Sequence, residues 1–275
     1  MLCNMYDFTG KTTLVTGASL GIGAQFAREL AARKSGLVLV ARSEDKLRAL
    51  AAELTAAHGV PVAVVAADLA QPGAAAKVHA ETTRRGLRVD VLVNNAGLGM
   101  HGRFREIPVT QMSTQIAVNI TALMELTYAY LPEIEAAQGG VIQVASVASF
   151  QPIPYMAVYG ATKAFVLSFS EALYAEYRDR GVRVLALCPG ATDTEFFAVA
   201  GDAASGGSKR VSAAEVVRVG LRAFGADRSY VVQGVANYLA AASSRFFPRA
   251  FAARMVAKIT QPRKALPAAA KERTT

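Results

Sequence analysis

Seven short runs rich in β-branched residues recur along the chain, at 12–16, 37–41, 62–67, 89–93, 141–144, 182–187 and 230–232. They are nearly all apolar rather than alternating, the pattern of strands covered on both faces instead of half-exposed to water. Segments with helical periodicity lie between them, near 21–34, 44–57, 72–86, 109–137, 159–180 and 212–224. The last of these opens on a capping box, Ser212 with Glu215 three residues on. Strand–helix repetition of this kind leaves few topologies, because parallel strands need crossovers and those crossovers are right-handed. The expectation is an α/β fold: a single doubly wound Rossmann-type domain of about seven parallel strands with helices on both faces.

Composition agrees. With 275 residues, 52% of them hydrophobic and 22 of them glycine, the chain has enough apolar side chains to cover a large sheet, and a 19% charged fraction argues against disorder. Neither internal repeat nor interdomain linker is visible, so 1–244 is expected as one folded unit and 245–275 as a basic C-terminal extension. The formal charge of +9 is unevenly spread. Residues 245–275 hold eight Lys/Arg and one acid, Glu272, a local +7 that leaves about +2 on the rest. A nearly neutral body without a basic face or base-stacking elements is not expected to bind nucleic acid. Cys3 and Cys188 lie far apart without metal-ligand spacing, so neither a disulfide framework nor a metal is expected, and a reducing cytoplasm is the natural compartment. The start, MLCNMYDFTGK, lacks the basic and apolar regions of a secretory signal, and no run of eighteen apolar residues suggests a spanning helix.

Thr16-Gly17-Ala18-Ser19-Leu20-Gly21-Ile22-Gly23 follows the first strand and opens the first helix. Glycines let backbone approach a pyrophosphate, and a helix N-terminus offers amides and a favourable dipole. The spacing is G-x-x-x-G-x-G rather than G-x-G-x-x-G. At the end of the second strand an NAD site wants a carboxylate for the ribose 2′-hydroxyl. Ala41, Arg42 and Ser43 stand there instead, so nothing repels a 2′-phosphate and the Arg42 guanidinium can grip one, which favours NADP(H). The alternative is that Arg42 pairs with Glu44 or Asp45 on the surface.

Tyr159 and Lys163 are four residues apart and share a helix face. An ammonium beside a phenol favours the phenolate and so lowers the pKa from about 10, giving a proton donor suited to neutral pH. A proton donor and a dinucleotide loop in one chain suggest hydride transfer. Asn119 is a mild misfit inside a helix, because its amide competes with backbone bonding, and a functional role would account for it. Ser146 ends the fifth strand at the carboxyl edge of the sheet, where ligands bind in such folds.

These motifs, in this order, resemble those of the short-chain dehydrogenase/reductase family over about residues 8–232. TGASLGIG looks like the family's cofactor loop, Asp68-Leu69 like its adenine-contacting pair, and Asn94-Asn95-Ala96-Gly97 like its NNAG segment. Pro189-Gly190-Ala191-Thr192-Asp193-Thr194 is similar to its PG segment beside the nicotinamide. The resemblance implies that Asn119, Ser146, Tyr159 and Lys163 form a catalytic tetrad in which Tyr159 is the general acid/base. Ser146 then bonds the substrate oxygen, Lys163 holds ribose hydroxyls, and Asn119 holds a water that links Lys163 to solvent; Ser146 and Tyr159 would touch the substrate. It further implies cofactor contacts from Gly17, Ser19, Gly21, Ile22, Gly23, Arg42, Asp68, Leu69, Asn95, Ala96, Gly97, Tyr159, Lys163, Pro189, Gly190, Thr192 and Thr194. Leu20 departs from the pattern, standing where many NADP-dependent relatives carry a basic residue; 2′-phosphate recognition then falls on Arg42, helped by Ser19 or Ser43. Asp68 has a plainer alternative as a local cap, and the asparagines as turn residues. A homodimer or homotetramer is also implied.

Phe150, Pro152, Ile153, Pro154, Tyr155 and Met156 before Tyr159, with Phe196 and Phe197, favour a lipophilic carbonyl or alcohol, an acyl chain, steroid or terpenoid. The same residues could serve packing or a subunit contact. The glycine-rich stretch 201–208 suggests a lid over about 194–211. His101 and Arg103 are either head-group contacts or surface residues. In the tail, Phe247, Phe251, Met255 and Ile259 recur at helical spacing near Arg254 and Lys258. That suits a helix packed on the sheet or a subunit, or weak contact with a membrane surface that would make a cytoplasmic protein peripheral. Two functional alternatives stay open: an NADP-binding sensor or scaffold without turnover, and an isomerase or dehydratase on the same fold.

Overall fold

The computed structural model describes residues 6–196, 210–243 and 246–261. The lid centred on 201–208, Phe197, Cys3 and the chain beyond 261 lie outside them.

Seven parallel strands form one sheet in the order β3-β2-β1-β4-β5-β6-β9. They are β1 Thr12–Thr16, β2 Gly36–Ala41, β3 Val62–Ala66, β4 Val91–Asn94, β5 Gly140–Val144, β6 Arg183–Cys188 and β9 Tyr230–Val232; a small second pair joins β7 Thr192–Asp193 to β8 Val211–Ser212. β4 starts two residues later than its apolar run suggests, because the Val89 N–H is taken by the Glu133 carboxylate at 2.9 Å.

Apolar residues fill both phases of each strand because both faces are covered. Leu37 and Leu39 of β2 pack with Val15, Val91 and Ile142 against α1 (Gly21–Ala32), α2 (Glu44–His58) and α7 (Ala213–Gly225), through Phe26, Leu47 and Phe224. Val38 and Val40 point the other way. With Leu14, Leu92 and Val141 they meet α3 (Ala74–Arg84), α5 (Leu123–Ala136) and α6 (Ala157–Tyr177), through Val78, Leu126, Tyr130 and Tyr174. Water is excluded from both faces of the central strands, so the polar side chains buried there need internal partners: Asn94 of β4 and Gln143 of β5 both donate to the Thr127 hydroxyl, each at 3.0 Å.

The helix expected at 109–137 is not continuous. α4 (Val109–Ile116) widens into a π-helical turn, Ala117–Ala122, before α5, and Asn119 sits in that turn. A π turn carries one extra residue, and such turns gather at functional sites. Ser212 caps α7 by accepting from the Glu215 N–H at 3.2 Å, but the capping box is only half made, since the Glu215 carboxylate accepts from Gln233 at 2.8 Å instead. Two further helices close the described chain, α8 (Val235–Ser243) and α9 (Arg249–Thr260). No helix among the described residues is long and apolar enough to cross a membrane.

Connections leave β1 toward β2 on one side and β4 toward β5 on the other, so the chain reverses its winding between β1 and β4. A crevice opens at the carboxyl ends of strands where this happens.

Candidate active site

Beyond the carboxyl end of β1 the chain turns through Gly17 (φ +62°) and Gly21 (φ +56°), conformations that other residues adopt only with strain. Gly23 needs its missing side chain for another reason: a Cβ there would strike the Gly17 carbonyl. The loop is held from across the crevice. Asn95 donates its side-chain amide to the carbonyls of Thr16 (2.9 Å) and Gly17 (3.3 Å), while the Thr16 hydroxyl accepts from the N–H groups of Asn95 and Ala96 at 2.9 and 3.0 Å. The NNAG segment therefore shapes the glycine loop as much as it lines the cavity. Asn94, deeply buried, donates to Thr127 at 3.0 Å and serves the core.

At the N-terminus of α1, Leu20 provides no side-chain cap and the first turn carries no acid. Its amides and the positive end of its dipole stay available to an anion, so the loop fits a dinucleotide pyrophosphate. Farther along the sheet edge, Arg42 is exposed and forms no ion pair with a described carboxylate; Glu44 is held by Arg48 instead. The surface-pair alternative for Arg42 is thus not what the chain does. Asp68 accepts from the Ala70 N–H at 3.1 Å and from Gln71 at 3.2 Å, bonds that hold its carboxyl below the usual range with a smaller pull from Arg42. It closes the turn after β3 and does not cap α3, whose N-cap is Gly73; its carboxylate also feels the Arg42 charge. Leu69 is buried.

The central feature is a cavity of about 540 Å³. It is lined by Gly17, Leu20, Gly21 and Ile22 of the loop, by Asn95, Ala96 and Gly97, by Ser146, Tyr159 and Lys163, and by Pro189, Gly190, Thr192 and Thr194. Ser19, Gly23, Arg42, Asp68, Leu69 and Asn119 do not line it. Asn119 stands immediately behind the wall. Its amide donates to the Leu98 carbonyl (2.9 Å) and the Thr162 hydroxyl (3.0 Å), and its oxygen accepts from the Leu98 N–H (2.8 Å). These bonds tie the segment after β4 to α6 beside Lys163. A methyl added at Gly97 would lie 3.4 Å from Lys163 Nζ and 3.5 Å from Asn119 Oδ1, so the space above Gly97 lies between those two polar atoms.

Ser146 follows β5 and accepts from the Ala148 N–H at 3.1 Å, which fixes its hydroxyl at the sheet edge; that hydroxyl also bonds the Tyr159 side chain. Burial raises the Tyr159 phenol above its ordinary pKa, and the Ser146 bond opposes the rise. The expected depression of the phenol by Lys163 is absent in the chain alone. Lys163 Nζ lies 5.9 Å from the Tyr159 ring centroid and donates to the Val144 carbonyl at 2.7 Å. Burial brings the ammonium itself down to about 8. Cys188, below it in the core, has its thiol pushed up to about 12 by burial and is not a nucleophile.

Of the apolar residues before Tyr159, Ile153 and Met156 line the cavity. Phe150 instead packs on Tyr230 at 6.0 Å between centroids, and Tyr155 faces a separate small pocket with Met100 and Phe104. Phe196 stands over the site, its ring 5.4 Å from that of Tyr159 and in the space over Gly99. Arg103 pairs loosely with Glu106 at 3.9 Å on the surface. His101 turns to the C-terminal helix, where its Nε2 donates to the Thr260 carbonyl at 2.7 Å.

The outer wall comes from Ile259 of the tail stripe, from Glu195 at the start of the expected lid, and from residues that the sequence pattern does not mark: Gln151, Asn237, Ala240, Ala241, Val256 and Thr260. Thr260 is buried, and its hydroxyl donates to the Pro154 carbonyl at 2.9 Å. With the His101 bond, this latches the end of α9 onto the loop preceding Tyr159. Part of the basic extension is therefore a wall of the cavity. Apolar helical spacing at 247–259 was the available signal, but it carries no information on where the helix lands.

Residues 11–204 match the model of a family described as short chain dehydrogenase. Among named relatives, a very-long-chain 3-oxoacyl-CoA reductase-A of Danio rerio is 36% identical over 185 residues, covering 66% of this chain and 57% of that protein. The chain thus spans less than two thirds of that relative's length. A 7beta-hydroxysteroid dehydrogenase of Collinsella aerofaciens is 36% identical over 193 residues, 70% of this chain and 72% of that protein. A solved short-chain dehydrogenase from Sphingobium yanoikuyae in complex with NADPH superposes with a TM-score of 0.77 at 34% identity, over 94% of this chain and 99% of that one.

Proposed function

The chain belongs to the short-chain dehydrogenase family, and from that premise we propose that it is an NADP(H)-dependent oxidoreductase interconverting a carbonyl and a secondary alcohol on a lipophilic substrate. The observation that carries the reading is the single cavity in which the phosphate loop meets Ser146, Tyr159 and Lys163 under an apolar outer wall.

NADPH, when bound, supplies the hydride. The Gly17–Gly23 loop and the open end of α1 hold its pyrophosphate, and Arg42 holds the 2′-phosphate that NADH lacks; the NADPH in the Sphingobium relative supports the same choice. Ser146 donates to the substrate oxygen and favours charge as it develops there. Tyr159 gives its proton to that oxygen. A raised phenol pKa keeps Tyr159 protonated through the neutral range, so it is loaded as an acid before substrate arrives. Lys163 stabilises the phenolate that remains, and a water seated over Gly97 lies within reach of both Lys163 and Asn119 for proton return.

A lipophilic substrate suits Ile153, Met156, Phe196, Val256 and Ile259 around the cavity. The relatives named for very-long-chain 3-oxoacyl-CoA and for a 7beta-hydroxysteroid point to the same class. The working form in this reading is a homodimer or homotetramer in the cytoplasm. The test is loss of reduced-nicotinamide absorbance with ketosteroids, acyl ketones and small polar ketones as substrates. NADPH-dependent turnover of the lipophilic compounds is expected. Tight NADPH binding without turnover of any carbonyl would favour a sensor, and a preference for NADH would overturn the role of Arg42.

A further inference from the structure

Between Asp227 and Glu272 the sequence contains no acidic residue but eight Lys/Arg. This stretch includes α8 and α9, the two helices that form the outer wall of the cavity. α9 has two distinct faces. Val256 and Thr260 turn inward to the cavity, while Phe251, Met255 and Ile259, spaced i, i+4 and i+8, are 49%, 46% and 58% exposed. Arg254 and Lys258 run along the solvent side of that stripe. Phe247 extends it, its ring 5.5 Å from that of Phe251, and Phe246 is the most exposed large apolar residue here at 84%. Tyr238 and Leu239 of α8 are exposed as well.

An apolar stripe edged by cations, without one carboxylate to repel a phosphate, is the composition of a helix lying in the interface of an anionic bilayer. One residue joins this surface to the site: Ile259 is both exposed and part of the cavity wall. We propose that α9 docks on an anionic lipid surface through Phe247, Phe251 and Met255 with Arg254 and Lys258, and that lipophilic substrate passes from the lipid into the cavity beside Ile259. The entry route rests on the reading of the cavity as a carbonyl-reductase site; docking does not.

The full chain, without cofactor or substrate, is sedimented with vesicles of phosphatidylcholine alone or mixed equally with phosphatidylglycerol, across a salt series. Binding is expected only to the mixed vesicles and should weaken as salt rises, because interactions beyond a Debye length are screened. Arg254→Gln/Lys258→Gln should weaken it about 25-fold, each cation near such a surface being worth about fivefold. Phe251→Ser/Met255→Ser should weaken it about tenfold or more. None of these four side chains lines the cavity, so turnover of a water-soluble ketone should stay at the wild-type level. Absence of vesicle binding, equal binding to neutral vesicles, or indifference to both pairs of substitutions overturns the proposal. So does a drop in native mass of Phe251→Ser/Met255→Ser in a protein that binds no vesicles, which would assign the stripe to a contact between copies.

Discussion

Lys163 is buried, yet the proposed chemistry needs it charged. Burial brings its pKa from 10.5 down to about 8, with one carbonyl, that of Val144, as direct partner. A lysine lowered in the fold binds fewer protons between about pH 8 and 10.5 than in the unfolded chain, so stability rises with pH through that window. Below it the full penalty is present. Lys163→Met removes the charge at similar volume and should melt higher than wild type at pH 7, with the difference shrinking toward pH 10.5; a gap independent of pH would exclude a buried charge as its cause. At Arg42 the expected effect is on choice rather than stability. Arg42→Ala should weaken NADPH binding about 10–100-fold, the range for hydrogen bonds to a charged group, and leave NADH unchanged, as read by fluorescence titration. Both proposals start from the sequence, because phosphate recognition and proton transfer demand particular residue types at fixed local spacings. The direction of the Tyr159 shift could not. It depends on burial and on Lys163 turning to Val144, and four residues of helical spacing describe neither.

Among the elements, the glycine loop and α9 make opposite demands on sequence. In the loop, backbone packs on backbone, so Gly23→Ala should abolish NADPH binding: its methyl would meet the Gly17 carbonyl and no side chain can yield. An equilibrium measurement giving less than a tenfold loss would show that the loop relaxes. α9 is held by side-chain chemistry at one end. Thr260→Val deletes the hydroxyl whose one proton is shared between the Pro154 and Val256 carbonyls, both at 2.9 Å. At about 1 kcal/mol, amide exchange in α9 should speed about fivefold, and KM for a lipophilic ketone should rise while kcat holds. The strands were legible because two-sided burial writes continuous apolar runs. The outer wall was not, because alanine, valine, asparagine and threonine at helical spacing look the same wherever a helix lands. The π turn at Asn119 escaped for a related reason: one extra residue in a helix leaves the apolar periodicity of 109–137 almost intact.

For the molecule as a whole, the reversal of winding between β1 and β4 sets the phosphate loop opposite the β5–α6 segment, and α8 and α9 close the space between. Cofactor should then stabilise the whole sheet rather than one loop. NADPH at a hundredfold excess over its Kd is worth about 2.7 kcal/mol, and at roughly 2–4 °C per kcal/mol for a chain of this size Tm should climb by about 5–10 °C, in one transition. The stripe proposed to dock on lipid belongs to this scale too, since α9 carries it opposite Val256 and Thr260, which line the cavity. What joins these features is the reading of Tyr159 as the proton donor of a carbonyl reductase, and it is tested most directly by single-turnover reduction of an accepted ketone with Tyr159→Phe. A rate lowered by about 10²–10⁴, with NADPH affinity within a few-fold of wild type, is the predicted result; a variant keeping more than about a tenth of the rate would contradict it.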